Sequence, residues 1–267
     1  MLLWRLSSGL SPLIVSVPHA GRHVPDAIRA RMTPRAIEVP DTDWHVDELY
    51  RFAPDAGATL LVATHSRYVA DLNRDPSGKA LYPGADNTEL CPTRTFCNDE
   101  VYRTGEAPVP SEIDARRATY FDPYHACLSR EVARVRDLHG YAVLVDGHSI
   151  AAEVPRFFSG RLPDLNLGTS DGASCDAALE LLAAQVIAAA AGFTHVVNGR
   201  FKGGYITRRF GTPDQGVHAL QLEMTQACYL DEADPRSFDA SRAAGLVSVL
   251  ERLLVALGEW RPVSGPS

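Results

Sequence analysis

The sequence lacks a framework of paired cysteines. Its five cysteines are dispersed, and none stands in a C-x-x-C pair. An odd, scattered set favours reduced thiols in a cytoplasmic protein over a disulfide scaffold. These residues are Cys91, Cys97, Cys127, Cys175 and Cys228.

A long apolar run is also missing. The longest one, residues 183–193, is interrupted by Gln185 and is too short to cross a bilayer. Residues 1–9 show no charged region followed by an apolar core, so we expect no secretory signal peptide. The expectation is a soluble, cytoplasmic protein without a membrane partner.

Positive charge is scarce. The chain has 26 lysines and arginines against 33 aspartates and glutamates, a formal net charge of -7, and no basic stripe with interleaved aromatic residues. This composition argues against a nucleic-acid partner. An acidic chain that binds a small anion must gather its cations locally. The clearest cluster is formed by Arg200, Lys202, Arg208 and Arg209.

No linker and no internal repeat divides the 267 residues, so we predict one domain over residues 1–267. Apolar runs of strand length alternate with segments of helical periodicity. We predict a strand ending near Val17, further strands at 58–63, 141–145, 194–197, 205–208 and 217–224, and helices at 46–52, 121–139, 173–191 and 241–257.

This alternation predicts an α/β fold: a mixed, mostly parallel central sheet with helices on both faces. The mixed direction is expected because residues 194–224 look like consecutive strands without a helix between them. Residues 67–72 are predicted to be extended. Residues 75–110, rich in Pro, Gly, Asn, Asp and Thr, are predicted to form a long loop of the kind that usually serves function.

Two histidines each close an apolar run. His19 ends residues 12–19, and His148 ends residues 141–148. Runs of this kind are typical of buried strands, and open α/β sheets bind ligands just beyond the carboxyl ends of their strands. Two imidazoles brought to one sheet edge are what a catalytic zinc site needs. Two unrelated, hydrogen-bonded loop histidines would give the same pattern.

Residues 41–47 place three carboxylates and a histidine just before a predicted helix. One aspartate is enough to cap a helix, so the others include a candidate third metal ligand. Asp43 is the candidate because it lies nearest the predicted helix start, with Asp41 and Asp47 as alternatives. Asp146, two residues before His148, is expected either to orient that ring or to cap the turn.

Arginine and amide side chains follow the second predicted strand. Arg74 offers a planar fork that can bind a carboxylate through two parallel hydrogen bonds, and Asn73 can add a donor. Arg67 lies on the same approach. Surface salt bridges to Asp71 or Asp75 are the alternative.

Glu223 lies in the apolar strand predicted at 217–224. Alternation places it on one face with Gln221. A poorly solvated glutamate has a raised pKa, which suits a general base. The alternative is a solvent-facing residue at the strand end.

Six motifs occur in order along the chain: VPHAG (17–21), DTDWHVD (41–47), DLNR (71–74), DGHS (146–149), NLGTSDG (166–172) and LQLE (220–223). Together they resemble the N-formylglutamate amidohydrolase family, from about residue 14 to residue 230. That family is similar in turn to zinc carboxypeptidases and aspartoacylases, which share a mixed-sheet α/β fold. Arg22 stands where those enzymes have a glutamate ligand.

The resemblance implies zinc-dependent hydrolysis of N-formyl-L-glutamate to formate and L-glutamate, the last step of histidine degradation. Another acyl-amino-acid amidohydrolase, a carboxypeptidase-like hydrolase, and a catalytically silent binder of acidic amino-acid derivatives are the alternatives. The resemblance implies Zn²⁺ on His19 and His148, Glu223 as the general base, Arg67 as the residue that stabilises the oxyanion, and Asn73 with Arg74 on one substrate carboxylate. We infer Asp43 as the third ligand of one Zn²⁺ per chain. The second carboxylate is expected to meet a cation of the cluster Arg200, Lys202, Arg208 and Arg209, with Arg208 and Arg209 as the named candidates.

Overall fold

The computed structural model describes residues 1–81, 84 and 86–262. In this part of the chain, seven strands form one sheet in the order β1-β3-β2-β4-β7-β5-β6. The strands are β1 Trp4–Ser7, β2 Leu13–Val17, β3 Thr59–Ala63, β4 Ala142–Ile150, β5 Leu165–Gly168, β6 His195–Val197 and β7 Val217–Thr225.

The strand directions are mixed and mostly parallel, as the sequence predicted. β2 runs parallel to β3 and β4, β4 to β7, and β5 to β6. The antiparallel pairs are β1 with β3 and β5 with β7. The reason given for mixed direction was wrong, because a helix separates β6 from β7.

Helices cover both faces of the sheet. The eight α-helices of the described residues are α1 Asp26–Arg29, α2 Pro34–Ile37, α3 Val46–Leu49, α4 Pro110–Arg116, α5 Asp122–His139, α6 Ala177–Ala188, α7 Tyr205–Phe210 and α8 Ala240–Glu259, and a π-helical turn at Arg117–Phe121 joins α4 to α5.

Alternation along the strands divides the core between the two faces. Val15 and Val145 belong to the core packed by α3, α6 and α8, whereas Ile14 and Leu144 belong to the core packed by α5 and α7. Among the described residues, no helix is both long and apolar enough to span a bilayer.

Two local predictions were wrong. Residues 205–208 belong to helix α7, because Ile206 and Phe210, four residues apart, are buried on one side of it. The β-branched Ile206 and Thr207 had suggested a strand. Residues 67–72 form turns, with the amides of Val69 and Arg74 donating to Ser66 and Asp71. The sequence also gave no prediction for β1, β5 or α4.

β4 is longer than the predicted strand at 141–145, which decides where the polar residues lie. It continues to Ile150, so Asp146 and His148 lie within the strand and on the same side of it. Gly147 faces the other side of β4 and lets the strand pack closely against Tyr50 at the end of α3, since a Cβ there would lie 2.6 Å from the Tyr50 ring. The described part of 75–110 contains no regular helix or strand before α4 begins at Pro110.

Candidate active site

The structure brings together His19, which lies just beyond the end of β2, and His148, which lies near the end of β4. Their ring centroids are 5.0 Å apart, and both side chains are buried. Asp43 completes the group: one potential ligand atom from each of the three residues lies within 4.8 Å of the other two. Residues separated by more than 100 positions therefore converge on one point, as a metal centre requires.

Buried carboxylates hold both imidazole rings from behind. His19 Nε2 lies 2.8 Å from Asp71 Oδ1, and His148 Nε2 lies 2.9 Å from Asp146 Oδ2. A proton on each Nε2 leaves the Nδ1 lone pairs directed toward Asp43, whose Oδ2 lies 3.8 Å from His19 Nδ1 and 2.9 Å from His148 Nδ1. This is the arrangement of metal-binding histidines oriented by carboxylates. The role of Asp71 was missed, although the residue belongs to a motif.

Asp43 is held by the backbone and is not used to cap α3. Its own amide donates to His19 O, and the Ser149 amide donates to Asp43 Oδ2 at 3.2 Å. Helix α3 begins after His45, which has a left-handed backbone, and no side chain caps it. The capping alternative is therefore not realised by Asp43.

The other two carboxylates of residues 41–47 point elsewhere. Asp41 accepts hydrogen bonds from Tyr68 Oη at 2.7 Å and from the Phe96 amide at 2.9 Å. Burial raises the pKa of Asp41 to about 6. Asp47 pairs with Arg5 near the surface. Neither lies in the group formed by His19, Asp43 and His148.

Arg67 supplies positive charge between these ligand atoms. It is buried, donates from Nη2 to Asp43 Oδ1, and places the same nitrogen 2.7 Å from His19 Nδ1. Its guanidinium also lies over the Phe96 ring, 4.9 Å from the centroid. A cation therefore already lies against His19 Nδ1 and against the other carboxylate oxygen of Asp43. Two imidazole nitrogens and a carboxylate oxygen form a donor set that suits Zn²⁺, so the residues fit a metal.

Glu223 faces the same space from β7. It is the strand partner of His148, is buried, and accepts a hydrogen bond from Gln221 Nε2 at 3.2 Å. Burial raises the pKa of Glu223 to about 8, although His148 and Arg67 oppose this rise. The residue is therefore not a solvent-facing strand end.

Asn73 contacts the Nε2 edge of His148, the edge opposite to the one that Asp43 contacts, and Arg74 follows it in the chain. Asn73 Nδ2 is 3.0 Å from Asp146 Oδ2, and Asn73 Oδ1 accepts from the Ile206 amide at 2.7 Å. Arg74 is partly exposed, donates from Nε to Thr88 Oγ1 at 2.6 Å, and lies 3.9 Å from Asp71 Oδ2. Both line the cavity described next.

A cavity of about 610 Å³, counting the space at its open mouth, extends from His19, His148 and Glu223. In the part of the chain that the structure describes, the arginines that line it are Arg67, Arg74 and Arg200. Arg208 and Arg209 do not border it: they line a separate groove with Asp75, Lys79, Ala80, Leu81 and Tyr205. The apolar side chains of the cavity include Phe96, Ile150, Phe157 and Phe201.

Known proteins resemble this chain over almost its whole length. The model of the N-formylglutamate amidohydrolase family matches residues 11–230. N-formylglutamate deformylases of Pseudomonas putida and Pseudomonas aeruginosa are 45% and 46% identical to this chain over 252 residues. The matched region covers 94% of this chain and 94% of each relative. The crystal structure of N-formylglutamate amidohydrolase from Ralstonia eutropha JMP134 superposes with a TM-score of 0.79, at 26% identity and with 96% of this chain and 97% of that chain covered. The family suggested by the sequence motifs is thus confirmed: this chain belongs to the N-formylglutamate amidohydrolase family.

Proposed function

We propose that this protein is a zinc-dependent deformylase that hydrolyses N-formyl-L-glutamate to formate and L-glutamate, as the last step of histidine degradation in the cytoplasm. The observation that carries the proposal is the placement of buried Glu223 beside the group of His19, Asp43 and His148. Family membership and the names of the relatives support the substrate.

His19, Asp43 and His148 would hold one zinc ion per chain, through the two Nδ1 atoms and a carboxylate oxygen. When bound, the metal lowers the pKa of water and polarises the formyl carbonyl. Asp71 and Asp146 keep the two rings in the tautomer that exposes Nδ1.

Glu223 accepts the proton of the attacking water at its carboxylate and then transfers it to the leaving amine nitrogen. Burial makes Glu223 a stronger base than an ordinary carboxylate, while the charges of His148 and Arg67 favour the ionised form that accepts the proton. Arg67, which contacts Asp43 and His19, places its charge where the tetrahedral oxyanion develops. The two residues thus divide proton transfer and charge stabilisation between them.

Arg74, with Asn73 beside it, binds the substrate carboxylate next to the scissile nitrogen. Its position agrees with this role, because it borders the cavity within a few ångströms of the residues that orient His19. Binding through a planar guanidinium aligns the formyl carbon with Glu223, because two parallel hydrogen bonds fix the orientation of a carboxylate.

The test combines metal analysis with a hydrolysis assay. We expect the purified protein to carry close to one zinc per chain and to release formate from N-formyl-L-glutamate. A chelator should abolish the release, and added Zn²⁺ should restore it. Hydrolysis of longer acyl-amino acids instead of formylglutamate would indicate another amidohydrolase. Tight binding of formylglutamate without hydrolysis would indicate a binding protein.

A further inference from the structure

We propose that Arg200 binds the side-chain carboxylate of the substrate and so selects acidic acyl-amino acids. This inference rests on the function proposed above. The substrate is a dianion, and a second carboxylate that is buried in the cavity without a cation would lose hydration that nothing replaces. Each carboxylate therefore needs its own partner in the cavity wall.

The cavity offers few cations for this purpose. Arg67, Arg74 and Arg200 are the arginines that line it within residues 1–81, 84 and 86–262. Arg67 is buried against Asp43 and His19, so its charge belongs to the reacting centre. Arg74 lies beside Asp71, close to the same centre. Arg200 is the arginine of this set that remains for a carboxylate farther from the scissile bond.

The neighbours of Arg200 in the basic cluster lie elsewhere. Lys202 Nζ is 2.9 Å from Asp171 Oδ1, where Lys202 is partly exposed and Asp171 is exposed. Arg208 and Arg209 line the separate groove described above. Of the four cations that the sequence places between residues 200 and 209, Arg200 is the one found among the described residues of the cavity wall.

Local contacts fix the Arg200 guanidinium in one orientation. Nε donates to the backbone carbonyl of Phe157 at 2.8 Å, and the guanidinium lies over the Phe201 ring, 5.3 Å from its centroid. An arginine held in this way loses less side-chain entropy when it binds an anion.

The backbone after Arg200 explains how a residue following edge strand β6 reaches the active site. Gly203 has a φ of 110°, and a Cβ on Gly204 would lie 2.3 Å from Asn73 Nδ2. A Cβ on Gly168 of β5 would lie 2.5 Å from the Gly203 amide. The segment can therefore pass directly over β5 and against Asn73, which ties Arg200 to the residue preceding Arg74.

An apolar wall stands beside the proposed carboxylate site. Phe157 and Phe201 border the cavity next to Arg200, and Ile150 and Phe96 continue the wall. Phe96 packs edge-on against Phe157 with centroids 5.0 Å apart. Methylene groups between two carboxylates would be buried against these rings, which matches an aliphatic acidic side chain better than a short polar one.

The experiment compares Arg200→Gln with the wild-type protein on N-formyl-L-glutamate and N-formyl-L-glutamine. We expect kcat/KM for formylglutamate to fall about 10- to 100-fold, the effect of one charged hydrogen-bonded pair. Formylglutamine should react as in the wild type, so the ratio between the two substrates should change. Glutarate should inhibit the wild type better than the variant, whereas butyrate should inhibit both alike. The control is Arg161→Gln, which changes an exposed arginine near Asp164. It should change neither the ratio of kcat/KM between the two substrates nor the inhibition by glutarate relative to butyrate.

An unchanged substrate ratio in Arg200→Gln would overturn the inference, as would a change of that ratio in an Arg208→Gln, Arg209→Gln double variant. If Arg200→Gln does not fold, Arg200→Lys provides the test: it keeps the charge without the fork and should lose activity on formylglutamate alone. Equal losses on both substrates would contradict the proposal. Failure of the wild type to hydrolyse either substrate would instead overturn the proposed function, and this inference with it.

Discussion

Replacing Asp71 with asparagine should weaken metal binding without touching a metal ligand. Asp71 is fully buried, and its Oδ1 accepts from His19 Nε2 at 2.8 Å and from the Asn73 amide at 2.9 Å. Asparagine keeps the shape and one acceptor but removes the negative charge that makes the imidazole a stronger donor to a metal. We expect the affinity for Zn²⁺ to fall about 10- to 100-fold, the usual effect of losing a carboxylate behind a metal-bound histidine.

The same substitution should also lower stability, because Arg67 Nη1 and Arg74 Nε lie 3.7 Å and 3.9 Å from Asp71 Oδ2. Removing one member of a buried charge cluster costs about 3–5 kcal/mol when the partner stays buried, and Arg67 is buried. Zinc affinity would be measured by competition with a chromogenic chelator, and the free energy of unfolding by urea denaturation of the metal-free protein.

Asp75→Asn is the matched control, since this exposed carboxylate bonds only to nearby Ser77 in the hydrogen bonds described. It should change neither quantity. Wild-type zinc affinity in Asp71→Asn would show that the contact between Asp71 and His19 does not tune the metal site, and the reasoning would fail.

Three further predictions follow from single side chains. Glu223→Gln should retain metal yet lose about 10²- to 10⁴-fold in kcat, because an amide cannot take up the proton; near-normal turnover would make Glu223 a structural residue. Arg74→Lys should lower kcat/KM by a factor that corresponds to about 1.5–3 kcal/mol of transition-state stabilisation, since the charge remains but the planar guanidinium is lost. Wild-type kcat/KM in steady-state kinetics would exclude this contact. His125 donates from Nε2 to Leu72 O and packs against Phe121, and burial lowers its pKa to about 4. The unfolded chain takes up this proton first, so stability should fall as pH drops from 6.5 toward 4, by about 2–3 kcal/mol. Urea midpoints of the wild type and His125→Gln should diverge across that range, and parallel curves would contradict the assignment.

The sequence was sufficient to place side chains where the local hydrophobic pattern and the side-chain chemistry indicate the same site. His19 and His148 could be placed at one sheet edge because apolar runs predict strands, and parallel strands end together. Asp43 could be proposed because a helix start needs one carboxylate and the segment has three. The structure brings these side chains together.

Other features depend on contacts that no local pattern contains. Asp71 reaches His19 across 52 positions, so its part in orienting the ring appears only in three dimensions. The residues 205–208 are rich in β-branched side chains, yet packing of Ile206 and Phe210 makes them helical. Nothing in the spacing of Arg200, Arg208 and Arg209 distinguishes them. Their separation depends on the path permitted by Gly203 and Gly204, which only the fold reveals.

The pairing of β4 with β7 sets His148 directly opposite Glu223. The separation of these two backbone positions is therefore fixed by the hydrogen-bond ladder at the centre of the sheet. The arginines proposed to bind the substrate, Arg74 and Arg200, lie instead on irregular segments that leave the sheet. With the roles proposed above, exchanging the segment around Arg200 would alter which acyl-amino acid is bound, while the backbone separation of His148 and Glu223 would stay constant.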